Sequence, residues 1–239
     1  MDKPKIAQGT TISSVDHAIK LIEVLAERGS ATVSEIAQET SLPRPTIYRL
    51  LNTLAQRDIT GSEQKKHHLT LRLYELAVTA RSTDRLLMRA HPILERIVSA
   101  TGLTAHFAVL DDDAAAFVAK KDGPGARTMA SRVGWRGPLH CTAVGKALMA
   151  ETRIPENLKL PKHTERTIVD FDALVSALDT IRRQGFSVDD EELLTGLRCV
   201  AVAWRDGETL LGAISVSGRT EEIGKPNETA RILMELLEN

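Results

Sequence analysis

The stretch LPRPTIYRLLNTL at residues 42–54 combines an apolar stripe with an outer face of arginine and threonine side chains. The apolar residues recur at i, i+3, i+4 and i+7, which is the spacing of one face of an amphipathic helix. They are Ile47, Leu50, Leu51 and Leu54. Pro45 suits a first helical turn, where a missing N–H costs no hydrogen bond, so the helix is predicted to begin beside Arg44. Arg44, Thr46 and Arg49 then lie off the stripe, with the donors that contact base edges and phosphates in a DNA groove.

The local charge around this helix agrees with DNA recognition. The net charge of -1 and the pI near 6.7 exclude a protein that coats nucleic acid through bulk positive charge. Between residues 42 and 73, however, six basic side chains stand against two acidic ones. Exposed charge runs are usually just solvated, but the helix order and this surplus together favour DNA binding. The candidate DNA-binding residues are Arg44, Pro45, Thr46, Tyr48, Arg49, Lys65 and Lys66.

Two of these candidates have specific expectations attached. Lys65 and Lys66 lie in a turn between two β-prone runs, from where they are predicted to reach the flanking DNA backbone or minor groove. Tyr48 has two interpretations: its ring packs into the core, or its hydroxyl hydrogen-bonds a phosphate.

The elements around the first stretch predict a winged helix-turn-helix over residues 10–77. SSVDHAIKLIEVLAE reads as a first helix with Ser14 as N-cap, and in TVSEIAQET Thr32 and Glu35 have the spacing of a capping box. RDITGSEQKKHHLTLRL reads as a hairpin, the wing. A single recognition helix contacts few base pairs, so at least a dimer on two half-sites is predicted.

The remainder of the chain predicts a connector and an α+β domain. Residues 78–100 read as a helical linker interrupted only by Pro92, and the second domain is expected over 101–239. Strand-like runs such as HFAVL, CVAVAW and TLLGAISVSG alternate with helical candidates at 142–151 and 171–185. Hairpin-like turns predict that the sheet is largely antiparallel.

Composition sets the broad class of the protein. The 239 residues are 42% hydrophobic, enough for one small and one medium globular domain. No apolar run approaches the roughly 20 residues of a membrane span, and MDKPKIAQGTTISS lacks the apolar core of a secretion signal, so a cytoplasmic location without membrane contact is expected. Cys141 and Cys199 are too few for a disulfide framework and are expected to be reduced thiols.

Three separated blocks of sequence carry a family resemblance. They are SSVDHAIKLIEVLA, VSEIAQETSLPRPTIYRLLNTL, and GFSVDDEELLTGLRCVAVAW followed by AISVSG. In their order and spacing the sequence resembles the IclR family of bacterial transcriptional regulators over nearly its whole length. The resemblance implies a winged helix-turn-helix, a linker helix and a GAF-like α/β effector-binding domain, assembled as dimers or tetramers on double-stranded operator DNA. It also implies a small organic or aromatic acid as effector, most often a repressor function, and no cofactor.

The sequence departs from the family pattern at several turns. Ser41, Asp58 and Thr70 stand where the family usually has glycine, and Pro45 is unusual at its position. A backbone with positive φ costs serine or threonine more than glycine, while aspartate tolerates it comparatively well.

The same resemblance places an effector pocket in the second domain. The positions carried over as ligand-binding are Met129, Ala143, Val144, Asp189, Leu197, Cys199, Ser215 and Ser217. Ser215 and Ser217 are two apart on a predicted strand, so both hydroxyls face the same side and can donate to one carboxylate. A helix beginning near Thr142 would favour an anion with its free N–H groups, whereas an ionised Asp189 would repel it. That opposition predicts an acid that also carries a hydroxyl or a similar donor.

Four alternatives accompany this interpretation. The serines can satisfy neighbouring backbone groups, Cys199 can be a small core residue, and the run of acids beginning at Asp189 can cap a helix. An enzyme would use His140 and Cys141 as base and nucleophile, although sequence neighbours on a strand rarely face each other and no third group orients the imidazole. A metal site of His140, Cys141, Asp189 and Cys199 has suitable ligand types but no spacing signal, so no metal is predicted. A scaffold without DNA or ligand would be favoured by loss of the basic face, which is present.

Overall fold

The structure is a computed structural model that describes residues 11–78, 83–124 and 131–238. The chain divides into two compact units, Met1–Arg81 and Ser82–Asn239. Met129, a predicted ligand residue, lies outside the described residues. In the described part of the chain, no helix combines the length and apolar character needed to cross a bilayer.

The first unit consists of a helical core and a small three-stranded sheet. Its helices are α1 (Ser13–Arg28), α2 (Val33–Thr40), α3 (Arg44–Ala55) and α4 (Leu71–Val78), and its strands are β1 (Ser30–Ala31), β2 (Thr60–Glu63) and β3 (Lys66–Leu69). The strands pair antiparallel in the order β1-β3-β2. The apolar stripes of α1, α2 and α3 meet in one core, whose fully or nearly fully buried members include Leu21, Leu25, Ile36, Ile47 and Leu51. The predicted winged helix-turn-helix is therefore confirmed.

Local geometry in this unit agrees with some sequence details and corrects another. The capping box is confirmed: the Glu35 carboxylate accepts from the Thr32 backbone N–H at 2.7 Å, and Thr32 Oγ1 accepts from the Glu35 N–H at 3.3 Å. Ser14 as N-cap is wrong, because α1 already begins at Ser13 and its N-cap position is Ile12.

Ser41, Asp58 and Thr70, which stand where the resemblance predicts glycine, do not all adopt the same backbone conformation. Ser41 and Asp58 adopt positive φ angles of 58° and 57°, the conformation that glycine would take most easily. Thr70 keeps a negative φ, and its hydroxyl donates to the Asp58 carbonyl oxygen. The turns therefore keep their shape at two of the three departures by accepting left-handed strain.

The second unit is a six-stranded sheet with helices on both faces. Its strands are β4 (Thr104–Asp111), β5 (Ala114–Lys121), β6 (Arg136–Pro138), β7 (Ser187–Asp190), β8 (Leu197–Asp206) and β9 (Thr209–Arg219). Every pairing is antiparallel, in the order β6-β5-β4-β9-β8-β7. The helices are α5 (Thr83–Thr101), α6 (Ala143–Glu151), α7 (Phe171–Gln184), α8 (Thr220–Ile223) and α9 (Pro226–Glu238). The predicted α+β class with an antiparallel sheet is confirmed.

Strand alternation sorts the two faces of this sheet. Ile214 and Val216 of β9 belong to the apolar core that includes α5 and α9. Ser215 and Ser217, between and after them, point to the opposite face, which α6 and α7 cover. The polar side chains of β9 are therefore presented to the helix that follows Thr142. The helix α5 belongs to this unit, and the sequence-based bounds 10–77, 78–100 and 101–239 stay predictions.

Candidate functional site

The outer face of α3 carries the residues predicted to contact DNA. Arg44, Pro45 and Arg49 are exposed and Thr46 is half-buried, while Ile47 turns into the core. Tyr48 is 54% exposed, so its ring is not part of the core. Arg44 Nη2 donates to Ser34 Oγ of α2 at 3.1 Å, which links the two helices at their polar edge. The face is thus free in this unit and chemically equipped for phosphates and base edges.

The wing ends in a tight two-residue turn. Gln64 and Lys65 connect β2 to β3, and both have positive φ, 49° and 67°. Lys65 is therefore at the tip and Lys66 is the first residue of β3; both are exposed. A positive charge at the tip of a narrow hairpin is suited to a phosphate backbone.

A cavity of about 970 Å³ lies in the second unit between the sheet and the start of α6. Such a volume is at the upper end of ordinary small-molecule sites. The predicted ligand residues that line it are Ala143, Val144, Asp189, Leu197, Cys199, Ser215 and Ser217. Met129 is the one predicted position that cannot be placed, since it lies outside the described residues. The roles of these residues in binding stay predictions.

Strand register explains why residues so distant in sequence meet. Ser217 pairs with Thr104 of β4 on one side and with Cys199 of β8 on the other. Cys199 in turn pairs with Asp189 of β7. Directly opposite residues on neighbouring strands share a face, so four strands supply one continuous polar row. Within it, Ser217 Oγ donates to Cys199 Sγ at 3.1 Å.

The start of α6 supplies backbone donors to the cavity. Thr142 is the N-cap, and its Oγ1 accepts from the Gly145 N–H at 3.1 Å. The first N–H groups of a helix have no intrahelical acceptor, so those of Ala143 and Val144 remain available at the cavity wall. This end of the cavity is suited to an anion.

A carboxylate faces the same cavity. Asp189 is fully buried, and its Oδ1 accepts from the N–H groups of Glu192 at 2.8 Å and Leu193 at 3.3 Å. Among the described residues Oδ2 has no partner. Burial raises the pKa of Asp189 to about 7, against the opposing effect of the Lys146 ammonium. The alternative in which this acidic run caps a helix does not hold, because Asp189 and Asp190 end β7 and the next residues form bends and a turn.

Lys146 and Glu192 form a buried ion pair next to Asp189. Lys146 Nζ contacts Glu192 Oε1, and both side chains are almost inaccessible to solvent. Burial raises the pKa of Glu192, while the nearby ammonium opposes that shift. The pair joins α6 to the segment after β7 and so fixes the carboxylate end of the cavity.

Sequence reasoning missed a second, aromatic end of the cavity. It is lined by His106, Phe117, Ser131 and Trp135. His106 Nε2 lies 2.8 Å from Ser131 Oγ, and its ring meets Phe117 edge to face at 5.4 Å between centroids. Burial lowers the pKa of His106 to about 3, so its imidazole is neutral. The one signal in the sequence was the alternation of β4, which becomes informative only once His106 is known to pair with Ser215.

Neither cysteine has the environment of an activated nucleophile. Burial raises the pKa of Cys141 to about 12, and burial also raises the pKa of Cys199. The thiolate is the nucleophilic form, so in the metal-free protein both side chains are protonated thiols rather than activated nucleophiles at neutral pH. His140 Nε2 is directed to the Pro161 carbonyl oxygen at 3.0 Å, and burial lowers the pKa of His140. This geometry does not support the base and nucleophile roles of the enzyme alternative.

Family models match both parts of the chain. Residues 78–239 match the model described as bacterial transcriptional regulator IclR C-terminal, and residues 14–60 match the IclR helix-turn-helix domain. The HTH-type transcriptional regulator KdgR of Escherichia coli K12 is 34% identical to this chain over 203 residues. The match covers 82% of this chain and 77% of the length of KdgR. The transcriptional repressor IclR of the same organism is 30% identical over 236 residues, covering 92% and 86%.

Solved structures share the fold along nearly the full chain. An IclR homologue from Microbacterium hydrocarbonoxydans, complexed with 4-hydroxybenzoate, superposes with a TM-score of 0.83 at 24% identity, covering 94% of this chain and 96% of that one. The Thermotoga maritima IclR gives a TM-score of 0.72 at 25% identity, covering 95% and 97%.

Proposed function

The chain belongs to the IclR family of bacterial transcriptional regulators, and from that premise we propose that an organic acid in its cavity changes the affinity of its winged helix for operator DNA. The observation that carries the proposal is the cavity itself, where free N–H groups of α6 and two serine hydroxyls face a buried carboxylate. Repression is the favoured direction, since relatives named repressors are among the matches. The protein would act in the cytoplasm, where bacterial chromosomal DNA lies.

The proposed ligand is an acid with a hydroxyl. Its carboxylate would accept hydrogen bonds from the N–H groups of Ala143 and Val144 and from the hydroxyls of Ser215 and Ser217, the latter turning its O–H from Cys199 Sγ to the ligand. Its hydroxyl would donate to Asp189 Oδ2, which otherwise lacks a partner among the described residues. The 4-hydroxybenzoate bound by the Microbacterium homologue carries both groups, on a ring. The aromatic end formed by Phe117 and Trp135 is suited to such a ring.

The proposed DNA contacts are those of α3 and the wing. Arg44, Thr46 and Arg49 would reach bases or nearby phosphates, Tyr48 a phosphate, and Lys65 and Lys66 the flanking backbone. Pro45 would set the position of the first turn, because its ring fixes φ at the helix start.

The proposed active form is at least a dimer. Apolar side chains stand exposed on α1 and α4, among them Val15, Ile19, Leu71 and Tyr74. Exposed apolar surface of this extent marks an interaction face more often than a free surface. Two copies would present two recognition helices to two half-sites, which gives the affinity that one helix lacks.

The test is a fluorescence anisotropy titration of the full chain with DNA from upstream of its own gene, at two salt concentrations and with a panel of hydroxylated and plain aromatic acids. We expect salt-sensitive, sequence-specific binding that one class of acid shifts, in agreement with linkage between two sites. Arg49→Ala should weaken specific binding by about 1–3 kcal/mol. The Ser215→Ala, Ser217→Ala double variant should bind DNA normally without responding to the acid. Specific DNA binding that no acid alters would refute the cavity assignment while leaving the DNA assignment intact.

A further inference from the structure

Three potential metal ligands meet beside the start of α6, apart from the groups that the proposed function uses. One ring nitrogen each of His140 and His163 and the Sγ atom of Cys141 all lie within 4.8 Å of one another. His140 and Cys141 precede α6, whereas His163 comes from the segment between α6 and α7. The first two are fully buried and His163 is exposed, so the cluster has a buried base and a side that solvent can reach.

His140 is already held in the form that a metal requires. Its Nε2 lies 3.0 Å from the Pro161 carbonyl oxygen, an acceptor, so the proton is on Nε2. The lone pair is therefore on Nδ1, which is buried and has no hydrogen-bond partner in the described part of the chain. Histidines that bind metals commonly donate their other N–H to a backbone carbonyl in this way. A buried, unpartnered lone pair is otherwise unfavourable, which calls for an occupant.

The second histidine is positioned by its own loop. The His163 backbone N–H donates to Thr167 Oγ1 at 3.0 Å. Thr164 and Thr167 hydroxyls donate at 2.6 Å to the Glu191 and Glu192 carbonyl oxygens, respectively. These bonds fix the loop against the end of β7 and bring the His163 ring to 5.9 Å from the His140 ring, between centroids.

We propose that His140, Cys141 and His163 form a Zn²⁺ site that leaves a fourth position for water or a small ligand. Two imidazoles and a thiolate are typical zinc ligands, and three protein ligands plus one open position are typical of non-structural zinc sites. Bonds of about 2.0–2.3 Å in a tetrahedral site bring ligand atoms to roughly 3.3–3.8 Å of each other. Since the three ligand atoms all lie within 4.8 Å of one another, closure needs shifts of at most about 1–1.5 Å, which rotation of the exposed His163 ring and of the Cys141 side chain would supply. On binding, the Zn–S bond replaces the S–H bond of Cys141 and the proton passes to solvent.

Cobalt(II) is the probe for this site, because a Co²⁺–thiolate bond gives a near-ultraviolet charge-transfer band and tetrahedral Co²⁺ absorbs strongly in the visible. The full chain, stripped with a chelator, is titrated with Co²⁺ and then with Zn²⁺. We expect both absorptions to appear with Co²⁺ and to disappear as Zn²⁺ displaces it. Cys141→Ser should abolish the charge-transfer band, and His163→Ala should weaken Zn²⁺ binding by at least about tenfold in competition with a chromophoric chelator.

Two matched variants separate this site from other metal binding. Cys199→Ser removes the other thiol, and His91→Ala removes an exposed histidine of α5; both should leave the cobalt spectrum and the zinc affinity unchanged. Circular dichroism of each variant checks that it is folded. A band that survives in Cys141→Ser and vanishes in Cys199→Ser would overturn the proposal in favour of metal at the cavity thiol. Absence of the thiolate band in the wild type, or unchanged affinity in folded His163→Ala, would also overturn it.

Discussion

At the level of single residues, Asp189 decides the charge of the proposed ligand site. Its Oδ1 accepts from two backbone N–H groups, whereas its Oδ2 has no hydrogen-bond partner among the described residues. Lys146 is already paired with Glu192. Burial raises its pKa from 3.8 to about 7, so its protonation changes within the physiological range. A protonated, neutral Asp189 does not repel an anion bound nearby, whereas an ionised Asp189 does.

Binding of an anionic acid that has no hydroxyl to donate to Asp189 should therefore weaken as the pH rises through 7. If the anion binds only while Asp189 is protonated, affinity falls about tenfold between roughly pH 6 and pH 8. Asp189→Asn should flatten this dependence, and calorimetric titration at both pH values measures it. A slope of the same size in Asp189→Asn would assign the titration to another group.

The same residue affects stability with a defined sign. The folded chain keeps the Asp189 proton up to a pH near 7, while the unfolded chain releases it near 3.8. Because the folded state binds more protons over this window, the contribution of Asp189 to stability decreases as the pH rises from about 4 to about 7 and is constant above it. Urea unfolding of the wild type and Asp189→Asn across this window should show a smaller loss of stability in the variant. Parallel curves would contradict the assignment.

At the level of elements, the start of α6 is packed so closely that it has no room for a side chain at Gly145. A Cβ atom there would lie 2.4 Å from the Leu139 carbonyl oxygen and 2.5 Å from the Leu139 Cα. Since backbone atoms cannot move aside cheaply, the helix start and the cavity wall depend on this glycine.

Gly145→Ala should destabilise the second unit by about 1–3 kcal/mol, the usual cost of overpacking. Gly207→Ala is the comparison, because its Cβ would meet nothing within 4 Å and only the left-handed φ of 58° would oppose it. Urea denaturation should show the larger loss at Gly145. Equal losses would mean that α6 shifts without cost.

The wing is expected to contribute to DNA binding separately from α3, and the salt dependence of binding measures that contribution. Lys65 and Lys66 are exposed at the hairpin tip, and each phosphate contact releases counterions on binding. Replacing both lysines by alanine should reduce the steepness with which the logarithm of the DNA-binding constant falls against the logarithm of salt concentration by about 2. The preference for one DNA sequence over another should not change. Lys20→Ala is the control, because this lysine is paired with Asp16 at 2.8 Å on α1. An unchanged slope would remove the wing from the interface.

The elements that sequence predicts best are those with local signals. The stripe of α3, the capping box at Thr32 and the alternation of β9 are all written within a few neighbouring residues. The short edge strand β6 has no such pattern, since it consists of Arg136, Gly137 and Pro138 and forms by pairing with β5. The wing turn also lacks the expected Asn-Gly or Gly signal, because Gln64 and Lys65 take up positive φ in its place.

At the level of the whole molecule, the proposed dimer would bury the exposed apolar side chains of the first unit in its interface. Leu71 and Tyr74 of α4 are 70% and 67% exposed. Leu71→Glu with Tyr74→Glu should give a monomer that binds operator DNA far more weakly, as sedimentation equilibrium and anisotropy would show. Val175→Glu, on an exposed position of α7, should leave the assembly unchanged. A double variant that remains dimeric would move the interface elsewhere.

The site as a whole was only partly readable from sequence. The family blocks identified residues that line the cavity at α6, β7, β8 and β9. His106 was missed because its place depends on the pairing of β4 with β9, strands separated by about half the chain, and Ser131 because it lies between β5 and β6 and reaches the cavity beside His106. His163 was missed for a related reason. The segment after α6 folds back to His140, and the local sequence of that segment does not predict this contact. Contacts set by long-range register leave no short-range trace.

The two tryptophans occupy opposite sides of the sheet, and this gives the protein a built-in optical sensor. Trp135 lines the cavity, while Trp204 is buried on the other face, 5.3 Å from Phe107 between ring centroids and beneath the Arg89 guanidinium. In Trp204→Phe the remaining indole would fluoresce from within the cavity alone. Ligand occupancy could then be followed in real time without a label, so that ligand arrival and the change in DNA binding can be timed as separate events.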